Sequence, residues 1–224
     1  MFFVFQSVDM SKEMSQDLHI CVEGTIGVGK TTILNRLADE LQTVLETPCE
    51  ILQEPLEKWV EFGKNKVNLL QLMYLDPVKY GASFQTLACS TKIEQLAGKK
   101  GVRLVERSLG AQANIFIPIL LQQKSLSDIN AEILTQLIRV TSNITSGLEP
   151  HCIVYLRTSP EVAINRIRKR GRSEEANISV QYLQQLSDHY DLWLLKNESI
   201  PVVVVEAVEM DILKIVQEIM FKLK

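Results

Sequence analysis

Lys30 sits between a glycine and a threonine in the stretch VEGTIGVGKTT, residues 22–32. Gly24, Gly29, Lys30 and Thr31 fit the pattern G-x-x-x-x-G-K-[ST], following an apolar run and opening a helix-like one. The spacing suits a phosphate cradle. Glycines let backbone N–H groups curl around an anion, and a helix N-terminus adds its positive dipole end. The stretch Gly24, Thr25, Ile26, Gly27, Val28, Gly29, Lys30, Thr31 and Thr32 is therefore expected to hold a nucleoside triphosphate. Lys30 would reach the β- and γ-phosphates, and the Thr31 hydroxyl would ligate Mg²⁺. Nothing in the motif identifies the acceptor of the phosphoryl group.

Three further stretches narrow the acceptor. A GTPase needs a guanine-reading Asn-Lys-x-Asp, but the nearest match, NKVN at 65–68, ends in Asn and follows no strand-like run. A motor ATPase usually ends a hydrophobic strand in a magnesium-binding Asp; here VRLVERS ends in Glu106 followed by Arg107. In LQEPLEKW, 52–59, Glu54 falls at the end of an expected strand and Pro55 stops it. Ligands of open α/β sheets bind beyond the carboxyl ends of strands, so Glu54 should share the crevice with the phosphate loop. A carboxylate there can take the proton of an attacking alcohol. In RIRKRGRSEE, 166–175, the basic residues Arg166, Arg168, Lys169, Arg170 and Arg172 surround Gly171. Arg166 and Arg170 lie one turn apart on one helix face. A basic lid stabilises a transferring phosphoryl group and keeps out competing water, which suits a kinase with a small alcohol as acceptor.

These side chains need a scaffold that brings strand ends together. Five short apolar runs read as buried strands: 18–23, 50–54, 102–106, 152–157 and 201–206. Helix-like segments alternate with them at 30–46, 67–97, 109–123, 128–147, 160–170, 179–196 and 209–223. That alternation predicts an α/β, doubly wound, five-stranded parallel sheet covered on both faces, as one domain over 18–224. Hydrophobic residues at 46% and charged residues at 23% fit a soluble globular chain. A net charge of −3 gives no global field for nucleic acid or anionic membrane, so neither is expected as a partner. The four cysteines are widely spaced, without a CxxC pair, and read as reduced thiols. Residues 1–17 read as a flexible extension, without Arg and too short in apolar content to span a bilayer, so a cytoplasmic location is expected. His19, His151 and His189 are read as structural.

Taken in order, GTIGVGKTT, EPLEKW, LMYLDP, SFQTLAC, ERS, YLRTSPEVAINRIRKRGRSEE and YLQQLSDHYDLWL resemble the deoxyribonucleoside kinase family from about Ile20 to Leu195. The resemblance implies ATP-dependent phosphorylation of a deoxynucleoside 5′-hydroxyl, with Mg²⁺ and a homodimer packed through helices within 67–97 or 109–147. It implies Glu54 as general base, Arg107 beside the reacting hydroxyl and Glu106 serving Mg²⁺ with Thr31. Tyr74 and Glu175 would bind the sugar 3′-hydroxyl, and Gln85 the base edge. Trp59, Phe84 and Phe116 would form apolar and stacking walls, with Ile26 and Met73 closing around sugar and base. Arg166, Arg170 and Arg172 would cover the ATP phosphates. Two departures bear on the base. Gln112–Ala113 stand where deoxycytidine and deoxyguanosine kinases have Asp-Arg, and Lys92 stands for an Arg. An amide offers a donor as well as an acceptor, so a preference leaning to thymidine or to broad acceptance is expected. Two alternatives stay open on sequence alone: a thymidylate-kinase-like monophosphate kinase and an inactive nucleotide-binding homologue. The first would have Asp-Arg at 106–107 and an Arg in place of Gln53. The full set of Lys30, Glu54, Glu106 and Arg107 argues against the second.

Overall fold

The computed structural model describes residues 17–224. The extension expected over 1–17 lies outside the described residues, except that Asp17 already belongs to a strand. Five parallel strands, β1 (Asp17–Glu23), β2 (Cys49–Leu52), β3 (Gly101–Glu106), β4 (Cys152–Arg157) and β5 (Val202–Glu206), form one sheet in the order β2-β3-β1-β4-β5. This is the α/β doubly wound arrangement expected of a P-loop kinase. From β1 the chain crosses to one side, to β2, and from β3 it crosses to the other, to β4. The reversal between neighbours β1 and β3 opens a crevice at their carboxyl ends.

Both faces of the sheet are covered, which is why the strands read as near-continuous apolar runs. Leu18, Ile20 and Val22 of β1 point into a core shared with α1 (Lys30–Leu45), through Leu34, Leu37 and Leu41. The helix closing the chain, Ile212–Lys222, adds Ile215 and Ile219 to the same core. Cys21, Ile153 and Tyr155 face the other way, against a second core of helical Ile164, Ile167, Leu183 and Leu186. Burying each such side chain is worth about 1.5–3 kcal/mol, so strand placement is strongly fixed.

The expected helix over 67–97 is instead two, α3 (Leu69–Leu75) and α4 (Pro77–Leu96), preceded by a short α2 (Leu56–Val60) that the sequence reading missed. Pro77 is the cause. It drives Asp76 out of helical geometry (φ −141°, ψ 78°), and Asp76 then caps α4 by accepting from the Lys79 N–H at 3.1 Å. The next helix, α5, spans 109–122 but widens to a π turn over Gln112–Phe116. Pro118 lacks an N–H and would crowd the carbonyl four residues back, and the widened turn just before it relieves both problems. The remaining helices are α6 (Asp128–Ile144), α7 (Pro160–Arg170), α8 (Val180–Leu194) and α9 (Ile212–Lys222). Strand β2 also stops at Leu52, so Glu54 sits in the β2–α2 connection and not on the strand.

At the opposite end of the sheet from the crevice, the fully buried Arg103 of β3 donates to Asp17 at 2.7 Å and to the Lys99 carbonyl. His19 is buried beside it, with Nδ1 against the Glu149 carbonyl at 3.1 Å. Burial first, and then Arg103, lowers the His19 pKa to about 3, so its ring stays neutral. That agrees with a structural role for His19.

Candidate functional site

The phosphate loop leaves β1 at Glu23 and enters α1 at Lys30. Gly24 and Gly27 are required there by space as well as by backbone angle. Their φ values are 140° and 77°, and an added Cβ would fall 2.5 Å from the Leu156 carbonyl oxygen and 2.6 Å from that of Ala163. The loop is thus pressed onto the end of β4 and onto α7. Lys30 is buried and donates to the Gly24 and Thr25 carbonyls at 3.1 and 3.0 Å. Burial, reinforced by nearby Arg107, lowers its pKa to about 8, against the opposing pull of Glu106, Glu54 and Glu23. Thr31 donates its hydroxyl to both oxygens of Glu106, at 3.1 and 3.0 Å. Val28 is fully buried in the core, so it can contribute to the cradle only through its backbone.

Beside the loop lies a cleft. All the acceptor-side residues expected from the sequence line it: Ile26, Glu54, Trp59, Met73, Tyr74, Phe84, Gln85, Arg107, Gln112, Phe116 and Glu175. They come from widely separated segments of the chain. Glu54 and Arg107 meet there, with Arg107 Nε 2.8 Å from Glu54 Oε1. The Nε–H does not point at that oxygen, so the contact is an ion pair without a hydrogen bond. Burial alone would raise the Glu54 pKa. The summed charge of Arg107, Lys30, Lys92 and Arg172 outweighs it and holds the carboxyl below its ordinary range. Burial likewise opposes the charge on Arg107, but Glu54, Tyr190, Glu23 and Glu106 keep the guanidinium protonated well above its ordinary value.

Arg107 is one of the few non-glycine residues, among those described, with positive φ, 65°, a conformation costing about 1–2 kcal/mol. Two hydrogen bonds to β1 hold it there: Arg107 N–H to the Val22 carbonyl at 3.0 Å, and Ser108 N–H to Glu23 Oε1 at 2.8 Å. Its guanidinium lies 4.8 Å from the centre of the Phe116 ring. Phe116 thus packs against Arg107 in a cation–π contact.

Part of the cleft wall is apolar. Trp59 and Phe84 meet edge to face, with ring centres 5.5 Å apart, in a cluster with Leu69, Leu70, Met73 and Ala88. Trp59 Nε1 is tied to Thr91 Oγ1 at 3.0 Å, leaving its ring face to the cluster. Gln85 and Gln112 also line the cleft and are buried, and the side-chain oxygen of each lacks a hydrogen-bond partner among the described residues. Unpaired buried amides on a cleft wall are what a polar ligand edge would satisfy. Lys92 does not join them. Its Nζ donates to Gln95 Oε1 and the Glu106 carbonyl, both at 2.9 Å, and it does not line the cleft.

The expected basic lid divides by partner. Arg166 donates to the Val28 carbonyl at 2.6 Å and the Ala207 carbonyl at 3.2 Å, bracing the phosphate loop. Arg170 and Arg172 instead pair with Glu175, at 2.5 and 3.4 Å. All three, with Gly27, Gly29, Lys30, Thr31 and Thr32, line a second depression on the loop side. Sequence reasoning assigned no role to Tyr182, which also lines the cleft and whose pKa is pushed up to about 12, mainly by burial. Nor did it single out Glu23 and Tyr190, which stand behind the cleft wall. Their signal was weak: a strand-end Glu and a helical Tyr look ordinary until their partners are known.

Residues 20–221 match the family model described as deoxynucleoside kinase. The chain is 32% identical over 206 residues to thymidine kinase 2, mitochondrial, of Homo sapiens, covering 89% of this chain and 74% of that protein. It is 33% identical over 207 residues to deoxycytidine kinase of Mus musculus, covering 84% and 80%. Deoxyguanosine kinase, mitochondrial, of Xenopus laevis is 30% identical over 214 residues, covering 85% and 77%.

Proposed function

The chain belongs to the deoxynucleoside kinase family, and on that premise we propose that it transfers the γ-phosphoryl group of ATP to the 5′-hydroxyl of a deoxynucleoside, with Glu54 as general base. The observation carrying this reading is the position of the Glu54–Arg107 pair. It lines one cleft together with Lys30 and Thr31 of the phosphate loop and with Trp59, Phe84, Gln85 and Gln112. A nucleoside with its base against the amides directs its 5′-carbon back toward Glu54. Tyr74 and Glu175 orient the sugar through its 3′-hydroxyl, and Ile26 and Met73 close around it. Glu54 accepts the 5′-hydroxyl proton as the oxygen attacks phosphorus, and Arg107 holds the carboxylate in place. Lys30 balances charge on the transferring group. Arg170 and Arg172 cover it from the lid, while Arg166 steadies the loop beneath.

Thr31 and Glu106 supply a pair of hard oxygen donors in mutual contact. That suits Mg²⁺, which takes few protein ligands and completes its shell with water and phosphate oxygens. When bound, the ion neutralises phosphate charge.

The base is the finer question. The three relatives are named for thymidine, deoxycytidine and deoxyguanosine, and their identities to this chain are nearly equal, so overall similarity favours none. Gln112 supports acceptance of thymidine or of several bases, because an amide can pair with either a carbonyl or an amino edge. Steady-state kcat/KM with ATP and Mg²⁺ should show thymidine used at least comparably to deoxycytidine, and deoxynucleoside monophosphates not used. A large preference for deoxycytidine alone overturns the base assignment, and turnover of thymidylate but not thymidine overturns the acceptor.

We also propose a homodimer through α6. Ile129, Ile133, Leu137, Val140 and Ile144 form an exposed apolar stripe down that helix, opposite its buried Ala131, Leu134 and Ile138. A contiguous patch of that kind marks an interface, and one helix face meeting its own copy closes as a two-fold. Light scattering should give twice the chain mass for the wild type and a monomer for Ile133→Glu. An unchanged mass in that variant rules the surface out.

A further inference from the structure

Glu23 is fully buried at the end of β1, one residue before the phosphate loop, and it lines neither the cleft nor the loop depression. A buried carboxylate is costly unless fully hydrogen-bonded, and Glu23 is satisfied by neutral donors. Oε1 accepts from the Ser108 N–H at 2.8 Å and the Ser108 hydroxyl at 2.7 Å. Oε2 accepts from the Tyr190 hydroxyl at 3.1 Å. The Tyr190 oxygen in turn accepts from Arg107 Nη1 at 3.3 Å. One carboxylate thus grips Arg107 from both ends. Through Ser108 it holds the peptide following the left-handed Arg107 backbone, and through Tyr190 it holds the guanidinium tip. The carbonyl of the preceding residue, Val22, takes the Arg107 N–H itself. Arg107 Nε then meets Glu54 at 2.8 Å without a hydrogen bond of its own to lock that geometry.

We propose that Glu23 is the positioning residue of the acceptor site: with Tyr190 and Ser108 it sets where Arg107, and through it Glu54, stand relative to the phosphate loop that begins at Gly24. Donor cradle and acceptor base are tied to the same strand end. This rests on the roles proposed for Glu54 and Arg107, and adds a residue that contacts neither substrate.

The sign of each perturbation follows from the hydrogen-bond inventory. In Glu23→Gln the amide carbonyl can still take the Ser108 N–H, but the NH₂ group then faces the Tyr190 oxygen. Tyr190 would receive two donors, the new amide and Arg107, and its own proton would lose its acceptor. Tyr190→Phe removes the guanidinium contact and leaves the Ser108 contact in place.

The test compares wild type, Glu23→Gln, Tyr190→Phe and the double variant on the best deoxynucleoside. Each single variant should lower kcat by about tenfold, with KM for ATP within about twofold, and the double variant should lose little more than one single variant, as expected for groups acting in one chain. A second readout needs no turnover: the Arg107 Nε–H signal in a ¹⁵N–¹H spectrum, identified by its loss in Arg107→Lys, should shift in both single variants. Unchanged kcat with an unchanged Arg107 signal overturns the proposal, as do additive losses or an equal rise in KM for ATP with falling Tm. Should Glu23→Gln fail to fold, Tyr190→Phe alone decides by the same two readouts. If no deoxynucleoside is phosphorylated by the wild type, the functional reading fails instead, and the Arg107 signal still reports on the positioning role.

Discussion

Glu54→Gln is expected to lower kcat for deoxynucleoside phosphorylation by about 10²–10⁴, the usual contribution of a general base, with little change in KM for either substrate. The amide keeps the shape of the side chain and can still accept a contact from Arg107, but it cannot take up a proton. The pH dependence is specific as well. Cations around Glu54 hold its pKa below the ordinary carboxylate range despite burial. Its working form is the ionised one, present above that pKa and lost as pH falls through it. The acid limb of kcat/KM for the nucleoside should therefore lie below the ordinary carboxylate range. Retention of most of the activity in Glu54→Gln, or an acid limb close to neutrality, contradicts the assignment.

Lys30→Met should lower kcat/KM for ATP by about 10²–10³, the loss typical of removing one preorganised charge-stabilising donor. The wild type should also show a diagnostic pH effect. Burial and Arg107 bring Lys30 down to about 8, so part of its charge is lost just above neutrality. Phosphates favour the charged form, so the pKa rises when the nucleotide binds, and binding takes up protons around and above about pH 8. ATP affinity must then weaken as pH rises through that region and level off once the pH exceeds the bound-state pKa. In Lys30→Met the whole affinity curve should drop and its slope flatten. Calorimetry in buffers of different ionisation enthalpy measures the proton uptake directly. A pH-independent wild-type affinity, or a slope that survives in Lys30→Met, excludes Lys30 as the titrating phosphate ligand.

Much of the fold was legible because its signals are local. Apolar runs of strand length alternate with helical periodicity, and each of the five expected strands matches an observed one to within two residues. The departures from those expectations have local causes in the sequence. Pro77 divides the long helix, and Pro118 widens α5 into the π turn that carries Gln112 and Phe116. At the site, motif spacing placed Lys30, Glu54, Glu106 and Arg107 at one sheet edge, because carboxyl ends of parallel strands converge at a switch point.

What no periodicity could reveal is which polar atoms face each other across the sheet. Arg166 was expected over the phosphates and also braces the loop from below. Lys92, which stands where related kinases have an Arg, serves the Glu106 carbonyl. Glu23 looked like the last residue of a strand until β3 and α8 brought Ser108 and Tyr190 to it. Residue types and their spacing settled which chemistry is available: a phosphate cradle, a carboxylate, a basic lid and a wall of amides and aromatics. How these groups are aimed was settled in three dimensions. Hydrogen bonds act over about 3 Å, here between residues as distant in the chain as Glu23 and Tyr190, and burial sets which of them carry charge.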